Sequence, residues 1–396
     1  MNLAAGSARR GIRGRVAVAG VGATSFGEHW DRDAGDLLSE AVEAALEDAG
    51  VDLEEIEAAW VGNQYPTTGV SGAQLSDAIR LYHRPVTRVE NFCASGMDAF
   101  RQACYAVAAG IHEVVLACGV EKLTDGGASG LPNAGRDDPL IGVISAPGTF
   151  GLVATRAFQQ WGWTKSDLAE IAVKNHANGV HHPKAHFRRA VTVEDVINAP
   201  PVASPLGRLD CAAVSDGAAA LVVTTPERAR LLRHGGSLVT VAAVQVSGFT
   251  IKPHLHPDAD FLGFEATRRA ATAAYAEAGI ADPARELDVA EVHDCFTITE
   301  LINYQDLGFT PAGTAVDFLR SGATRPGGSL VVNPSGGLKS FGHPIGATGC
   351  RMLYEITKQL QGRADGIQVE GARRGLAHNL GGPGAVAAVS ILERET

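Results

Sequence analysis

The sequence predicts an α/β protein made of two copies of one unit, each of order βαβαβαββ, and three observations carry that expectation. A short apolar strand followed by an amphipathic helix occurs near the start of the chain and again beyond residue 235. The copies align: SEAVEAALEDAGV matches RRAATAAYAEAGI, and EIEAAWVGNQYP, from residue 55, matches ELDVAEVHDCFT, from residue 286, at an offset of 231. That period is too long for a solenoid and fits duplication of a whole domain. Finally, 396 residues with 45% hydrophobic and 20% charged content can bury a large core.

The elements follow in order. Residues 16–19 form a short strand ending in Gly20 and Gly22. GVGATS then reads as a strand-end turn, because Ser25 stands where a dinucleotide fingerprint needs its third glycine. Residues 36–49 place Leu37, Ala41, Ala44, Ala45 and Asp48 at helical spacing before Gly50. In the second copy, residues 239–246 are a strand and 265–278 a helix closed by Gly279. VVLACGVEK (114–122) corresponds to RGLAHNLGG (374–382). Residues 123–210 break the pattern with irregular Gly, Pro, Asp and His and read as a long insertion between the last two strands of the first half. Insertions of that length usually carry function. The expected division is therefore 12–235, containing the insertion, and 236–396, with mixed, mostly parallel sheets covered by helices.

Composition excludes several classes. A formal charge of -10, from 34 Lys+Arg against 44 Asp+Glu, argues against a nucleic-acid partner. The six cysteines contain no C-x-x-C pair, so reduced thiols in the cytoplasm are expected rather than a zinc ribbon or a disulfide framework. The opening MNLAAGSARRGIRGR lacks the apolar segment of a signal peptide, and no run approaches the roughly 20 apolar residues of a membrane span. His176, His181, His182 and His186 superficially resemble a metal cluster. They fall in a polar Pro/Asn loop without Cys or paired carboxylates, so neither a metal nor a permanently bound cofactor is expected.

Four stretches can carry chemistry. In VENFCASGMDAF, Cys93 precedes a helix whose Met97, Phe100, Cys104 and Val107 share one face. A helix N-terminus stabilises a thiolate and makes the sulfur a better nucleophile. The competing reading is a small buried core residue, which is the better reading for Cys104 and Cys118. NPSGGLKSFGHPIGATGC (333–350) is a glycine-dense loop presenting His343, which the following Pro344 keeps out of helical conformation. His343 occupies nearly the place in the second half that Cys93 occupies in the first, so pseudo-twofold halves would pair them. EVHDCFTITE puts His293, Asp294 and Cys295 at a strand end, where open α/β sheets hold ligands. The glycines of AHNLGGPG offer backbone N–H groups for an oxyanion hole, or form a plain turn.

NFCASGMDAF, HDCF, GHPIGATG and HNLGG occur in this order, and with them the chain resembles the thiolase family over nearly all of residues 15–393. HDCF, with HNLGG in place of a terminal C-x-G, is similar to the sterol-carrier-protein-type and archaeal-type branch. The resemblance implies a layered α-β-α-β-α core, a loop domain that helps hold coenzyme A, and a homodimer or dimer of dimers. It implies that Cys93 is the acylated nucleophile and that His343 activates it and lines an oxyanion hole. It further implies that His293 helps hold the oxyanion-hole water and that the backbone of Cys93 and Gly381 forms a second hole. The activity implied is that of an acyl-CoA C-acyltransferase of lipid metabolism, cleaving or forming 3-oxoacyl-CoA with coenzyme A and acyl-CoA as substrates. The second cysteine of the common family pattern is missing, and Cys295 is the expected substitute as acid/base. One rival is a thiolase-like lyase or retro-aldolase working with a small OB-fold and zinc-ribbon partner. Another is a non-catalytic CoA-ester or lipid-binding subunit with an unreactive Cys93.

Overall fold

The computed structural model describes residues 11–65, 71–126, 145–232, 237–257 and 259–395. Its strands are β1 (Ala17–Ala23), β2 (Ala58–Gly62), β3 (Val86–Val89), β4 (Val114–Lys122), β5 (Pro201–Ala203), β6 (Leu206–Gly207), β7 (Asp216–Thr224), β8 (Val239–Gly248), β9 (Val289–Val292), β10 (Val331–Val332), β11 (Arg374–Gly381) and β12 (Val386–Arg394). β5 and β6 form a small hairpin, and the other ten pair in the order β10-β9-β11-β12-β8-β1-β7-β4-β2-β3. β1 and β8 meet through Ala17 opposite Thr240 and Val18 opposite Val239. On either side of that short seam lie two five-stranded sheets of identical order. In the first, β1 to β4 run in one direction and β7 opposes both its neighbours. In the second, β8 to β11 share a direction and β12 opposes them. The two sheets are thus mixed and mostly parallel in strand direction. β1, β4 and β7 are buried throughout, which is why they read as nearly unbroken apolar runs.

Helices cover the sheets in five layers. Helix Ala34–Ala49 starts at a capping box on Asp33, ends on the left-handed Gly50, and packs on β1 and β7. Its counterpart Glu265–Ala278 ends on the left-handed Gly279 and packs on β8 and β12. Between the sheets, helices Ser95–Ala108 and Thr348–Gln361 pack against each other, and each touches strands of both halves.

Gly20 and Gly22 are not a strand-end turn as expected; they lie inside β1. A Cβ on Gly20 would sit 2.4 Å from the Ala45 carbonyl, and one on Gly22 would sit 2.2 Å from that of Ala41. The glycines serve close strand–helix packing rather than chain reversal. The region between β4 and β7 is also more regular than its composition suggests, with helices Ala146–Trp161, Lys165–Gly179 and Val193–Ile197 ahead of β7. His176 lies in helix Lys165–Gly179, not in a loop. That helix buries Asp167, Lys174, Asn175, His176 and Asn178, which interrupt the apolar stripe by which helices are read from sequence. Among the described residues no helix is long and apolar enough to cross a membrane.

Away from the β1–β8 seam, the two halves also touch backbone to backbone around Gly346. A Cβ added to Gly119 of β4 would lie 2.2 Å from the Gly346 carbonyl, and one on Gly96 would lie 2.5 Å from the same oxygen. One on Gly346 would lie 2.6 Å from the Gly62 carbonyl, and one on Gly349 would lie 2.4 Å from the Met97 nitrogen. Backbone on both sides leaves nothing that can move aside. Gly346→Ala is therefore expected to destabilise the protein by about 1–3 kcal/mol, as overpacking does elsewhere. Thermal or urea unfolding of the variant measures this, and an unchanged midpoint would contradict the close approach.

Candidate active site

Cys93 lies between β3 and helix Ser95–Ala108, after Phe92 with a left-handed φ of 52°. That turn is pinned locally. The Phe92 N–H donates to Glu90 Oε1 at 2.7 Å, the Asn91 N–H donates to Ser95 Oγ at 2.9 Å, and Ser95 Oγ donates to the Phe92 carbonyl. The β11–β12 turn presses on the same segment. A Cβ on Gly381 would be 2.7 Å from the Asn91 carbonyl, and the backbone N–H of Gly382 lies on the Cys93 side of the turn, where it favours the thiolate. The backbone donor beside the sulfur is therefore one residue beyond Gly381, which closes β11 and accepts from the Ala385 N–H.

His343 follows the short helix Gly337–Phe341, itself unexpected within the glycine-dense loop, and precedes helix Thr348–Gln361. Its tautomer follows from its neighbour. Thr348 Oγ1 donates to the Pro344 carbonyl at 2.9 Å and so accepts from His343 Nδ1 at 2.7 Å. Nε2 is left with a lone pair, and it is buried with no partner. His293, just beyond the end of β9, stacks edge-on to His343 with ring centroids 5.2 Å apart. Its Nδ1 is 2.9 Å from the Asn379 amide nitrogen, which leaves Nε2–H as a donor. Cys93, His293 and His343 bring their donor atoms within 4.8 Å of one another.

Burial sets the charge state of this cluster. Desolvation pushes the Cys93 thiol up to about 12, with Glu121 and Glu90 adding to the rise and the Gly382 N–H opposing it. The residue keeps some surface, but its sulfur is enclosed by protein. The helix N-terminus does not give the low thiol pKa that the sequence suggests, because loss of water outweighs it. Burial and the Arg351 cation together hold His343 at about 3, burial being the larger influence. His293 is held well below its usual value by burial and by His343 and His378. The resting pair is thus a neutral thiol beside a neutral imidazole whose lone pair is free.

The remaining residues of interest fall close by. Cys295 is buried just beyond β9, its Sγ 3.9 Å from Thr299 Oγ1. Burial raises its thiol well above the usual range, and the adjacent Cys93 adds to the rise. Asp294 acts as a backbone anchor, its oxygens accepting from the N–H groups of Leu338 and Lys339 and from Asn175 Nδ2. His378 bonds Thr267 at 3.0 Å, and its Nδ1 is unpartnered. Cys104 and Cys118 are fully buried in the core. The four histidines of 176–186 are not gathered on one point: His176 meets Lys339, His182 meets Glu355, and His186 meets Ser215. Thr348 and Asn379 escaped the sequence reading as functional positions, although each lies within a stretch already singled out; Gly382 is one of the AHNLGGPG glycines expected to offer backbone N–H groups.

Beside the cluster lies a cavity of about 1140 Å³. Phe296 and Ala212 line it nearest the chemistry, Ala212 donating to the Cys295 carbonyl at 2.8 Å, and Arg188, Arg189 and Arg208 also line it. It is large enough for an elongated anionic ligand.

The fold recurs in known proteins. The family model described as the thiolase N-terminal domain matches residues 16–227, and that described as thiolase C-terminal domain-like matches residues 247–394. The chain belongs to the thiolase family. It is 41% identical to the acetyl-CoA acetyltransferase of Methanothermobacter thermautotrophicus over 96% of this chain and 99% of that one. Among solved structures, the Ltp2-ChsH2(DUF35) aldolase superposes with a TM-score of 0.85 at 26% identity, covering 97% of this chain and 99% of that one. The Acat5 thiolase from Ascaris suum in complex with coenzyme A superposes with a TM-score of 0.71 at 19% identity, covering 96% of this chain and 100% of that one, a likeness of fold. As a thiolase, this chain is an acyltransferase.

The neutral pair has a measurable signature. Alkylation of Cys93 by iodoacetamide is expected to rise about tenfold per pH unit from pH 6 to 10, since only the thiolate reacts. Peptide mapping at each pH follows the rate, and a plateau between pH 6 and 8 would mean a preformed thiolate–imidazolium pair instead.

Proposed function

We propose that this thiolase cleaves or forms 3-oxoacyl-CoA through an acyl group carried on Cys93. The observation that carries the reading is the unpartnered Nε2 lone pair of His343 beside the Cys93 thiol. In the cleavage direction His343 Nε2 takes the thiol proton as sulfur attacks the 3-carbonyl. The developing oxyanion is met by backbone N–H groups at Gly382 and Cys93, while His293 Nε2–H serves the thioester oxygen directly or through water. The C2–C3 bond then breaks, leaving an acyl-cysteine and the enolate of the shortened CoA ester. A second group must protonate that enolate and deprotonate the incoming CoA thiol, since the nucleophile is occupied. Cys295 fills this role: a thiol of raised pKa delivers its proton to the carbanion and, as the thiolate, takes one from CoA.

The cavity supports CoA as the substrate carrier, with Arg188, Arg189 and Arg208 placed for its phosphates. We take the halves to divide into 12–235 and 236–396, the chain to work in the cytoplasm on lipid-type acyl groups, and the active form to be a homodimer or a dimer of dimers. The likeness to the aldolase complex favours a second reading, a C–C lyase acting with an OB-fold partner. A lyase needs no acylated cysteine, and the intact Cys93–His343 pair therefore weighs toward acyl transfer.

Two variants test the assignments. His343→Ala loses both base and orienting group, and acyl transfer is expected to fall at least ~100-fold, the scale of about 3–4 kcal/mol set by one oxyanion donor. Steady-state turnover with a circular-dichroism check of folding measures it; turnover close to wild type would remove His343 from the mechanism. Cys295→Ala is expected to trap an acyl group on Cys93, visible as an intact-mass increment, while losing carbon–carbon bond cleavage. Unimpaired cleavage would transfer the acid/base role to His378 or His293.

A further inference from the structure

Three lysines are buried to within 1% of their surface among the described residues: Lys122, Lys174 and Lys339. Two of them are neutralised in place, Lys122 by Asp125 and Asp216 at 3.1 Å each and Lys174 by Glu300 at 2.7 Å. Lys339 has no carboxylate partner within 4.0 Å among the described residues. Asp294, whose oxygens accept from the Leu338 and Lys339 N–H groups and from Asn175, favours the ammonium by its charge without forming an ion pair with it. The neighbouring Cys211 thiol is pushed up to about 11 by burial, so it is neutral and does not supply the counter-charge.

Among the described residues the ammonium meets His176 Nε2 at 3.3 Å and lies 5.9 Å from the centroid of the Phe187 ring. His176 Nδ1 donates to the Arg189 carbonyl at 2.9 Å, so Nε2 is the accepting nitrogen and takes one of the three N–H bonds of Lys339. Lys339 lines the cavity together with His176, Phe187 and Cys211. An ammonium is expensive to bury, and a cavity-lining one that has no ion-pair partner among the described residues is suited to an anionic ligand.

We propose that Lys339, oriented by His176, is a subsite for a carboxylate on the acyl part of the substrate, so that the favoured 3-oxoacyl-CoA carries a second acid group. The proposal rests on the acyl-CoA reading given above and names the substrate class of the same site. A carboxylate suits the subsite better than a phosphate. One ammonium beside a neutral imidazole matches a single negative charge, whereas the phosphates of CoA find three arginines on the same cavity. Phe296 and Ala212 line the same cavity as Lys339, and Ala212 donates to the Cys295 carbonyl at 2.8 Å.

The test compares adipyl-CoA with hexanoyl-CoA, which share chain length and cannot undergo thiolysis, by calorimetric titration of wild-type protein and Lys339→Met. Turnover of the matching 3-oxo esters is measured in parallel. Wild type is expected to bind the dicarboxylate ester about ten- to a hundredfold more tightly, the range of a hydrogen bond to a charged group, and Lys339→Met to bring the ratio close to one. Equal binding of the two esters by wild type overturns the proposal, and this arm decides even where the variant does not fold. A loss of affinity in Lys339→Met that is the same for both esters and disappears with 3′-dephospho-CoA derivatives overturns it too, assigning the lysine to a CoA phosphate. Tight, selective binding without turnover of either 3-oxo ester would retain the subsite and overturn the thiolase reading.

Discussion

The backbone contact between the Gly342–Ala347 loop and the first half of the molecule is the constraint on which the site depends. Cys93 and His343 belong to different halves of the duplication, so their separation is only as fixed as the seam between those halves. Gly62, Gly96 and Gly119 allow the Gly346 peptide to approach without any side chain between. Glu121 of β4 completes the attachment by accepting from the Gly346 N–H at 3.0 Å and from the Gln64 N–H at the same distance. Rigid backbone-to-backbone contact transmits position with less play than packed side chains, which retain rotamer freedom.

The second half uses a similar device. Asp294 accepts from the Leu338 and Lys339 N–H groups and thereby holds the start of the segment that ends in His343. Two buried carboxylates thus grip the two ends of one catalytic loop, one from each half. Buried charge serves here as a backbone clamp; the catalytic atoms themselves are neutral at rest.

Much of this was legible in the sequence because duplication and glycine spacing are local signals. The 231-residue offset aligns β2 with β9, and Gly50 and Gly279 mark the ends of matching helices. Cys93, His293 and His343 were legible because each interrupts an apolar pattern at an element end. Other features were not. Helix Lys165–Gly179 was hidden because buried Asp167, Lys174, Asn175, His176 and Asn178 interrupt the apolar stripe of Leu168, Ile171 and Ala172 that joins it to the core. The Gly382 donor was displaced by one residue, since β-strand ends are not sharply encoded. The thiol pKa was misjudged because a helix dipole is local in sequence, whereas desolvation sums over segments as far apart as Glu90, Glu121 and Gly382. The buried lysine carries no sequence signal at all, because its isolation is a property of what surrounds it.

The neutral state of Cys93 also bears on chemical durability. Peroxide and disulfide oxidants attack thiolates, and a nucleophile that is already ionised is steadily lost to sulfenic and then sulfinic acid. A sulfur that burial holds in its protonated form offers such oxidants little of the reactive thiolate. The desolvation that delays activation therefore keeps the resting enzyme usable under oxidising conditions, with the carbonyl of the correct substrate acting as the release.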